Sequence, residues 1–318
     1  MANCNDLFQD FYNKIKLSSS KKDSLKDARD AVRDKIKKYF NDTMEEKNPD
    51  FRIQGSYAMA TIVNPLNGEF DIDDGVYLQN LDSDKSNWPT PETVHNWIYK
   101  AVEGHTDEKP KDKRTCIRVT YSGAYHVDLP IYGTYNDKSY LAEKGDLGWH
   151  PSDPEAITEW FKSEIKNKGE QLKRIVCYIK AWADHKSGLG KLPSGFVLTV
   201  LVDYCYEMSE RDDSAFAETI RNIYNRIIMS PIILNPADSG EDLGNRITED
   251  QMKNFKERLS TLLENASAAL KEESKVSACK LWKKEFGDRF SKCEDLKEEA
   301  TPLKTASPAI LKNDARSA

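Results

Sequence analysis

Several things are missing from this chain, and each absence narrows what it can be. No apolar run approaches the roughly 20 residues that a membrane-spanning helix needs, and the first residues do not read as a secretory leader. The six cysteines (Cys4, Cys116, Cys177, Cys205, Cys279 and Cys293) form no C-x-x-C pair, and the five histidines do not gather around them. That scatter argues against a zinc site and against a disulfide framework, so free or buried thiols in a reducing cytoplasm are expected. Positive charge is not in excess either. A formal net charge of −6 argues against constitutive, non-specific binding to long nucleic acid. There is no internal repeat. What remains is 318 residues, 38% hydrophobic and 31% charged, enough for one large domain or two closely packed lobes.

Periodicity divides the chain into a mixed first half and a helical second half. Residues 3–17 and 20–46 carry helical patterning, with Leu25, Ala28, Val32, Ile36 and Phe40 on one stripe of the second segment. Short strands are expected at 51–53 and 69–78. A helix should start at Thr90 (N-cap) and Pro91, and a hairpin should join 116–121 to 124–132. Pro130 suggests an edge position or the end of regular pairing. From Asp153-Pro154-Glu155 onward the pattern is helical: 170–186, 194–208, 213–229, 248–271 and 275–290. The expected organisation is a core at 1–165 with N-terminal helices and a sheet, a helical lobe at 166–290, and a disordered tail at 291–318.

The chemistry concentrates in one stretch. A Gly-Ser pair (Gly55, Ser56) stands fifteen residues before Asp71, in the run Asp71-Ile72-Asp73-Asp74-Gly75. On a strand, Asp71 and Asp73 point to the same side. Two adjacent carboxylates repel unless a cation lies between them. The Gly-Ser turn offers backbone N–H groups and a hydroxyl to phosphate oxygens. Asp128, on a later apolar strand, is expensive to bury unpaired. If its strand neighbours the first, three carboxylates converge and can hold two Mg²⁺ ions, with Mn²⁺ a possible substitute. The bland alternative for Asp71, Asp73 and Asp74 is a solvated turn. His126 is read as lying on the face opposite Asp128 and as structural.

These residues resemble the cGAS/DncV-like nucleotidyltransferases, a branch of the DNA polymerase β superfamily. The likeness runs through Gln54-Gly55-Ser56-Tyr57, Asp71-Ile72-Asp73 and His126-Val127-Asp128. It continues in Cys177-Tyr178-Ile179-Lys180-Ala181-Trp182, Leu192-Pro193-Ser194-Gly195 and Asn235-Pro236 with Glu241-Asp242-Leu243. The resemblance implies an α+β, polymerase β-like fold: a mixed sheet with helices plus a helical C-terminal lobe. It implies Asp71, Asp73 and Asp128 as catalytic metal ligands, and Gln54, Gly55, Ser56, Lys180 and Ser194 around the nucleotide phosphates. Asp242 would lie near the base. Tyr57, Tyr121 and Tyr206 are candidates for base stacking, with core packing the alternative.

The implied activity joins ATP with GTP or another NTP into a cyclic oligonucleotide, releasing pyrophosphate, in bacterial anti-phage signalling (CBASS). A product-activated effector protein would be its partner, with no role for a membrane. The chain lacks the Cys/His cluster of the animal members' zinc insertion, which disfavours activation by long DNA. The rivals are a linear oligoadenylate or RNA-terminal nucleotidyltransferase of the same superfamily, and a catalytically inactive nucleotide sensor or scaffold. The small residues at the chain end, Asp314 to Ala318, would suit conjugation to a partner through the C-terminus, as in some bacterial members.

Overall fold

A computed structural model of the chain describes residues 2–296 apart from 45–46, 67 and 123–124. Helix α1 (Asn5–Ile15) and the long helix α2 (Ser19–Thr43) come first, the latter capped by Ser18, whose hydroxyl accepts from Lys21 N. Strand β1 (Asp50–Gln54) runs into the single turn α3 (Gly55–Ala58), then β2 (Phe70–Tyr77) and α4 (Pro91–Val102). As the sequence predicts, Thr90 caps α4 and Pro91 opens it. The sheet continues with β3 (Lys111–Asp112), β4 (Ile117–Tyr121), β5 (Tyr125–Leu129), β6 (Ile131–Tyr135), β7 (Lys138–Glu143) and β8 (Gly148–Pro151). Helices α5 (Pro154–Lys168), α6 (Glu170–Lys186), α7 (Gly195–Cys205) and α8 (Asp212–Met229) follow. The small hairpin β9 (Leu234–Asn235) and β10 (Asp238–Asp242) precedes α9 (Glu249–Lys271) and α10 (Lys275–Phe286).

Among the described residues, β1 to β8 form one mixed sheet with β2 near its centre. On one edge of β2 lies β1, antiparallel, with Gln54 opposite Asp73. Along the other edge run β5 and β6, parallel and in a single register: Asp71 faces His126, Asp73 faces Asp128, and Val76 faces Ile131. Pro130 therefore interrupts what is in effect one strand. It stands where the outer neighbour changes from β4, paired to β5, to β7, paired to β6. The missing N–H falls at that change of partner, while the Pro130 carbonyl still accepts from Val76 N at 2.8 Å. Proline here marks a break in pairing on one side of an interior strand.

The two larger hydrophobic cores are one on the sheet and one among the helices. In one, α2 and α4 cover Ile72, Val76, Val119, Val127 and Leu129. The other is helical, centred on Phe8, Phe11, Tyr178, Trp182, Phe216, Trp282 and Phe286, and α1 packs in it. The sequence assigned α1 to the sheet-bearing core. Its buried Leu7, Phe8, Phe11 and Ile15 fill the gap between α6 and α8 instead, because those aromatic rings find partners there.

Cysteine and tail expectations also need correction. Cys279 and Cys293 form a disulfide, because the chain after α10 turns back onto that helix and brings the two Cα atoms to 5.7 Å. Their separation of 14 residues follows no spacing rule that would have announced it. Cys4, Cys116, Cys177 and Cys205 are free and buried. Residues 291–296, expected to begin the tail, pack onto the helical core, with Ser291 and Cys293 buried. The rest of the expected tail and the chain end considered for conjugation lie outside the described residues. Among those residues, no helix is long and apolar enough to cross a membrane.

Asp74 shows what the face covered by α2 demands. Its carboxylate is fully buried and is held by Arg33 of α2, with Nε donating to Oδ2 at 2.7 Å. Burial raises its pKa and Arg33 opposes that rise. Breaking such a pair leaves an uncompensated buried charge. Arg33→Ala is expected to cost about 3 kcal/mol in urea unfolding, whereas Arg33→Met with Asp74→Leu should recover most of it.

Candidate active site

The face of the sheet opposite α2 carries the acids. Strand alternation sends Ile72, Asp74 and Val76 under α2 and leaves Asp71 and Asp73 on the other side. The parallel register brings Asp128 beside Asp73, so the three carboxylates expected from the sequence do converge. Neither Asp71 nor Asp73 forms an ion pair among the described residues. Asp128 does: Arg118, its cross-strand neighbour on β4, donates from Nε to Oδ1 and from Nη2 to Oδ2, both at 2.6 Å. Lys113 Nζ lies 3.8 Å from the same carboxylate.

Electrostatics follow from this crowding. Burial, reinforced by Asp71 and Asp128, pushes the Asp73 carboxyl up to about 8, against the pull of Arg118 and Lys113. Asp71 is raised too, by burial first, with His126 opposing and Asp128 adding to the rise. Carboxylates so placed resist ionisation until a cation arrives, and an oxygen-rich cluster of this kind suits a hard divalent ion. Asp71 and Asp128 thus offer carboxylate oxygens that fit a hard divalent ion, with Asp73 beside Asp128 on the same sheet face.

His126 belongs to this cluster, contrary to the sequence reading. Residues two apart on a strand point the same way, so His126 shares the face of Asp128. Ligand atoms of Asp71, His126 and Asp128 lie within 4.8 Å of one another. Burial lowers the His126 pKa, with Asp128 opposing.

The Gly-Ser turn is fitted to Asp73. Gly55 has φ +67°, and a Cβ there would stand 2.2 Å from Asp73 Oδ2. Ser56 is half-buried in the first turn of α3. Gln54 turns away from this corner: its Nε2 donates to Tyr132 Oη at 3.1 Å, and its Oε1 would meet any Cβ at Gly75. Its side chain packs on the Tyr77–Tyr132 stack, whose rings are 4.8 Å apart. No phosphate role is evident for the Gln54 side chain.

Lys180 of α6 reaches the same region from the helical lobe. Its Nζ donates to Thr61 Oγ1 at 2.9 Å, and it forms no ion pair among the described residues. Burial pushes its pKa down to about 8. Beside its stem, Gly195 opens α7, with a Cβ there falling 3.4 Å from Lys180 Cε. Ser194 caps that helix, accepting from Val197 N, and is exposed, which leaves its O–H free to donate. A half-buried amine that forms no ion pair among the described residues, next to a helix N-terminus, is suited to an anion.

Other expected residues have local work. Asp242 Oδ1 accepts from Ile233 N and Gly244 N, both at 2.8 Å, and so ties the segments that enter and leave the β9–β10 hairpin. The Tyr121 hydroxyl donates to Ala28 O and lies 2.7 Å from His105 Nε2, its ring stacked on Tyr125. Tyr206 Oη bonds Gln171, and Tyr57 packs against the sheet core. The sequence reading missed Arg118, Thr61 and His126. Strand alternation alone was enough to find His126. Arg118 needed the β4–β5 register, and Thr61 needed the tertiary fold.

Strand-borne acids beside a Gly-Ser turn, with a lysine and a helix N-terminus nearby, are the arrangement that the sequence resemblance leads one to expect. Comparison with known proteins makes this more specific. Residues 49–132 match the nucleotidyltransferase domain of DncV-like cyclic GMP-AMP synthase. That match spans about a quarter of the chain and takes in the Gly55–Ser56 turn and all three aspartates. It is 32% identical over 201 residues to a cyclic GMP-AMP synthase of Escherichia albertii, covering 59% of this chain but only 44% of that protein. It is 25% identical over 300 residues to a cyclic AMP-AMP-AMP synthase of an Acinetobacter species, covering 89% and 84% of the two chains. The fold is that of Vibrio cholerae DncV cyclic AMP-GMP synthase crystallised with nonhydrolyzable GTP. The TM-score is 0.78 at 20% identity, over 92% of this chain and 98% of that one.

Two predictions follow from the geometry. Gly55→Ala must displace the Asp73 carboxylate and strain a left-handed backbone, so turnover should fall about a hundredfold, while the melting temperature moves by only a few degrees, about what 1 kcal/mol produces. Below about pH 8 the Lys180 amine is charged in the free protein. A bound triphosphate would raise its pKa, so nucleotide affinity should hold up to about pH 8 and then fall, by at most about tenfold per pH unit. Titrating a nonhydrolysable ATP analogue between pH 7 and 9.5 checks this, and Lys180→Met should flatten the dependence.

Proposed function

We propose that this protein joins nucleoside triphosphates into a cyclic oligonucleotide, with ATP and GTP as substrates and a purine-containing cyclic dinucleotide as product. The observation that carries the proposal is the convergence of Asp71, Asp73 and Asp128 on one sheet face, reached by Lys180 from the opposite lobe. The named activities of the relatives, cyclic GMP-AMP and cyclic AMP-AMP-AMP synthesis, support the cyclic product.

In this reading the donor triphosphate lies between the Gly55–Ser56 turn and the Lys180–Ser194 corner. Backbone N–H groups at the turn, the lysine charge and the α7 terminus hold its β- and γ-phosphates. Asp71, Asp73 and Asp128 would hold Mg²⁺, which when bound lowers the pKa of the attacking sugar hydroxyl and neutralises the leaving pyrophosphate. The acceptor oxygen forms a bond to the α-phosphorus, the bond to pyrophosphate breaks, and the hydroxyl proton passes to the carboxylate cluster. A second round on the linear intermediate closes the ring. The product would act on a separate effector protein in anti-phage defence, in the cytoplasm where nucleotides are made.

Incubation with the four NTPs and Mg²⁺, then with phosphatase and mass spectrometry, tests the proposal. A phosphatase-resistant cyclic species is expected, absent with Asp73→Asn although that variant folds. A fully phosphatase-sensitive product would instead indicate a linear oligonucleotide synthase. No product from any NTP would indicate an inactive nucleotide sensor.

A further inference from the structure

We propose that His126 is a nitrogen ligand of the cation held by Asp71 and Asp128, which makes this position a site for a first-row transition ion and for Mn²⁺ in particular. The inference rests on reading the acid cluster as a metal site, and adds to it a fourth protein ligand of different chemistry. Three observations carry it. Cross-strand register sets His126 directly opposite Asp71 on the strand that also bears Asp128. A ligand atom from each of the three falls within 4.8 Å of the other two.

The third observation is that His126 is 7% exposed and its Nδ1 is buried without any hydrogen-bond partner. A buried ring nitrogen without a partner is rare in a folded protein unless something outside the polypeptide fills its place. Asp128 does not fill it: the closest approach of Nδ1 to Asp128 Oδ1 is 3.5 Å, and that carboxylate is already held by Arg118. Arg118 does not bar a cation, because each carboxylate oxygen can accept a second partner.

Donor chemistry then selects the ion. Mg²⁺ prefers oxygen and keeps its waters, whereas imidazole is a common ligand of transition ions. Among these, Mn²⁺ also accepts the carboxylates that make up the rest of the site. Asp73, which faces Gly55 and the phosphate-binding turn, remains an oxygen-only ligand suited to Mg²⁺. The two metal positions would therefore differ, one oxygen-only and one mixed.

The test loads the full-length protein with Mn²⁺ alone and reads the ion by pulsed electron paramagnetic resonance. Nitrogen modulation of the Mn²⁺ signal is expected in the wild type and should vanish in His126→Asn, which keeps a polar group in place. His126→Ala serves as a second variant, and thermal melting verifies that both fold. Mn²⁺ affinity should fall at least about tenfold in both, the lower end of what even an outer-shell partner costs, with Mg²⁺ affinity little changed. Mn²⁺ bound without nitrogen modulation would overturn the inference and leave the carboxylate metal site standing. Failure to bind Mn²⁺ at all, together with no nucleotide product, would overturn both.

Discussion

The structure depends on a repulsion that the fold creates and leaves for a ligand to relieve. Two parallel strands in one register set Asp71 and Asp73 beside Asp128 on a single face. Burial and mutual repulsion hold the first two above the usual carboxylate range. The polypeptide's own cations here, Arg118 and more distantly Lys113, pair with Asp128 and leave Asp71 and Asp73 without an ion pair among the described residues. Around this tension the neighbouring residues are constrained. Gly55 must lack a side chain because Asp73 occupies the space. Asp74, one residue along and on the other face, is fully compensated by Arg33. The contrast between neighbouring aspartates, one paired and buried, the other unpaired, separates structural from chemical use of the same residue type.

The second constraint is the joint between the two cores. Residues 59–66 pass between them: Met59 packs with the helical core and Ile62 with the sheet core. The segment is held at several points. Arg289 donates to Asn64 O and Ala181 O, Leu66 N donates to Asp184, and Asn64 N donates to Ile15 O. Thr61 receives Lys180. The Gly55–Ser56 turn is thus anchored to the lobe that carries Lys180 and Ser194, which fixes the distance between them. The C-terminal segment around Arg289 takes part in this although it is far from the acids in sequence.

Much of this was legible in the sequence, and the rest was hidden for physical reasons. Caps with a mechanism, such as Thr90–Pro91 and Asp153–Pro154, gave helix starts correctly. Asp71, Asp73 and Asp128 were readable because charged residues in apolar strands call for an explanation. The short strands β7 and β8 were not identified, since their mixed, half-buried residues carry no clean alternation. Gln54 and Asp242 were placed by motif likeness, and their side chains turn to neighbours that only the tertiary structure supplies. The Cys279–Cys293 disulfide and the place of α1 depend on long-range packing that no local pattern encodes.

The central claim is that the acid cluster is destabilising to the folded chain until a divalent cation occupies it. Chemical unfolding at neutral pH, for wild type and Asp73→Asn, with chelator and with saturating Mg²⁺, measures this directly. In chelator the variant should be as stable as the wild type or more so. The ion should then stabilise the wild type markedly and the variant little. A variant less stable than wild type in chelator, with both proteins shifted alike by the ion, would contradict the account.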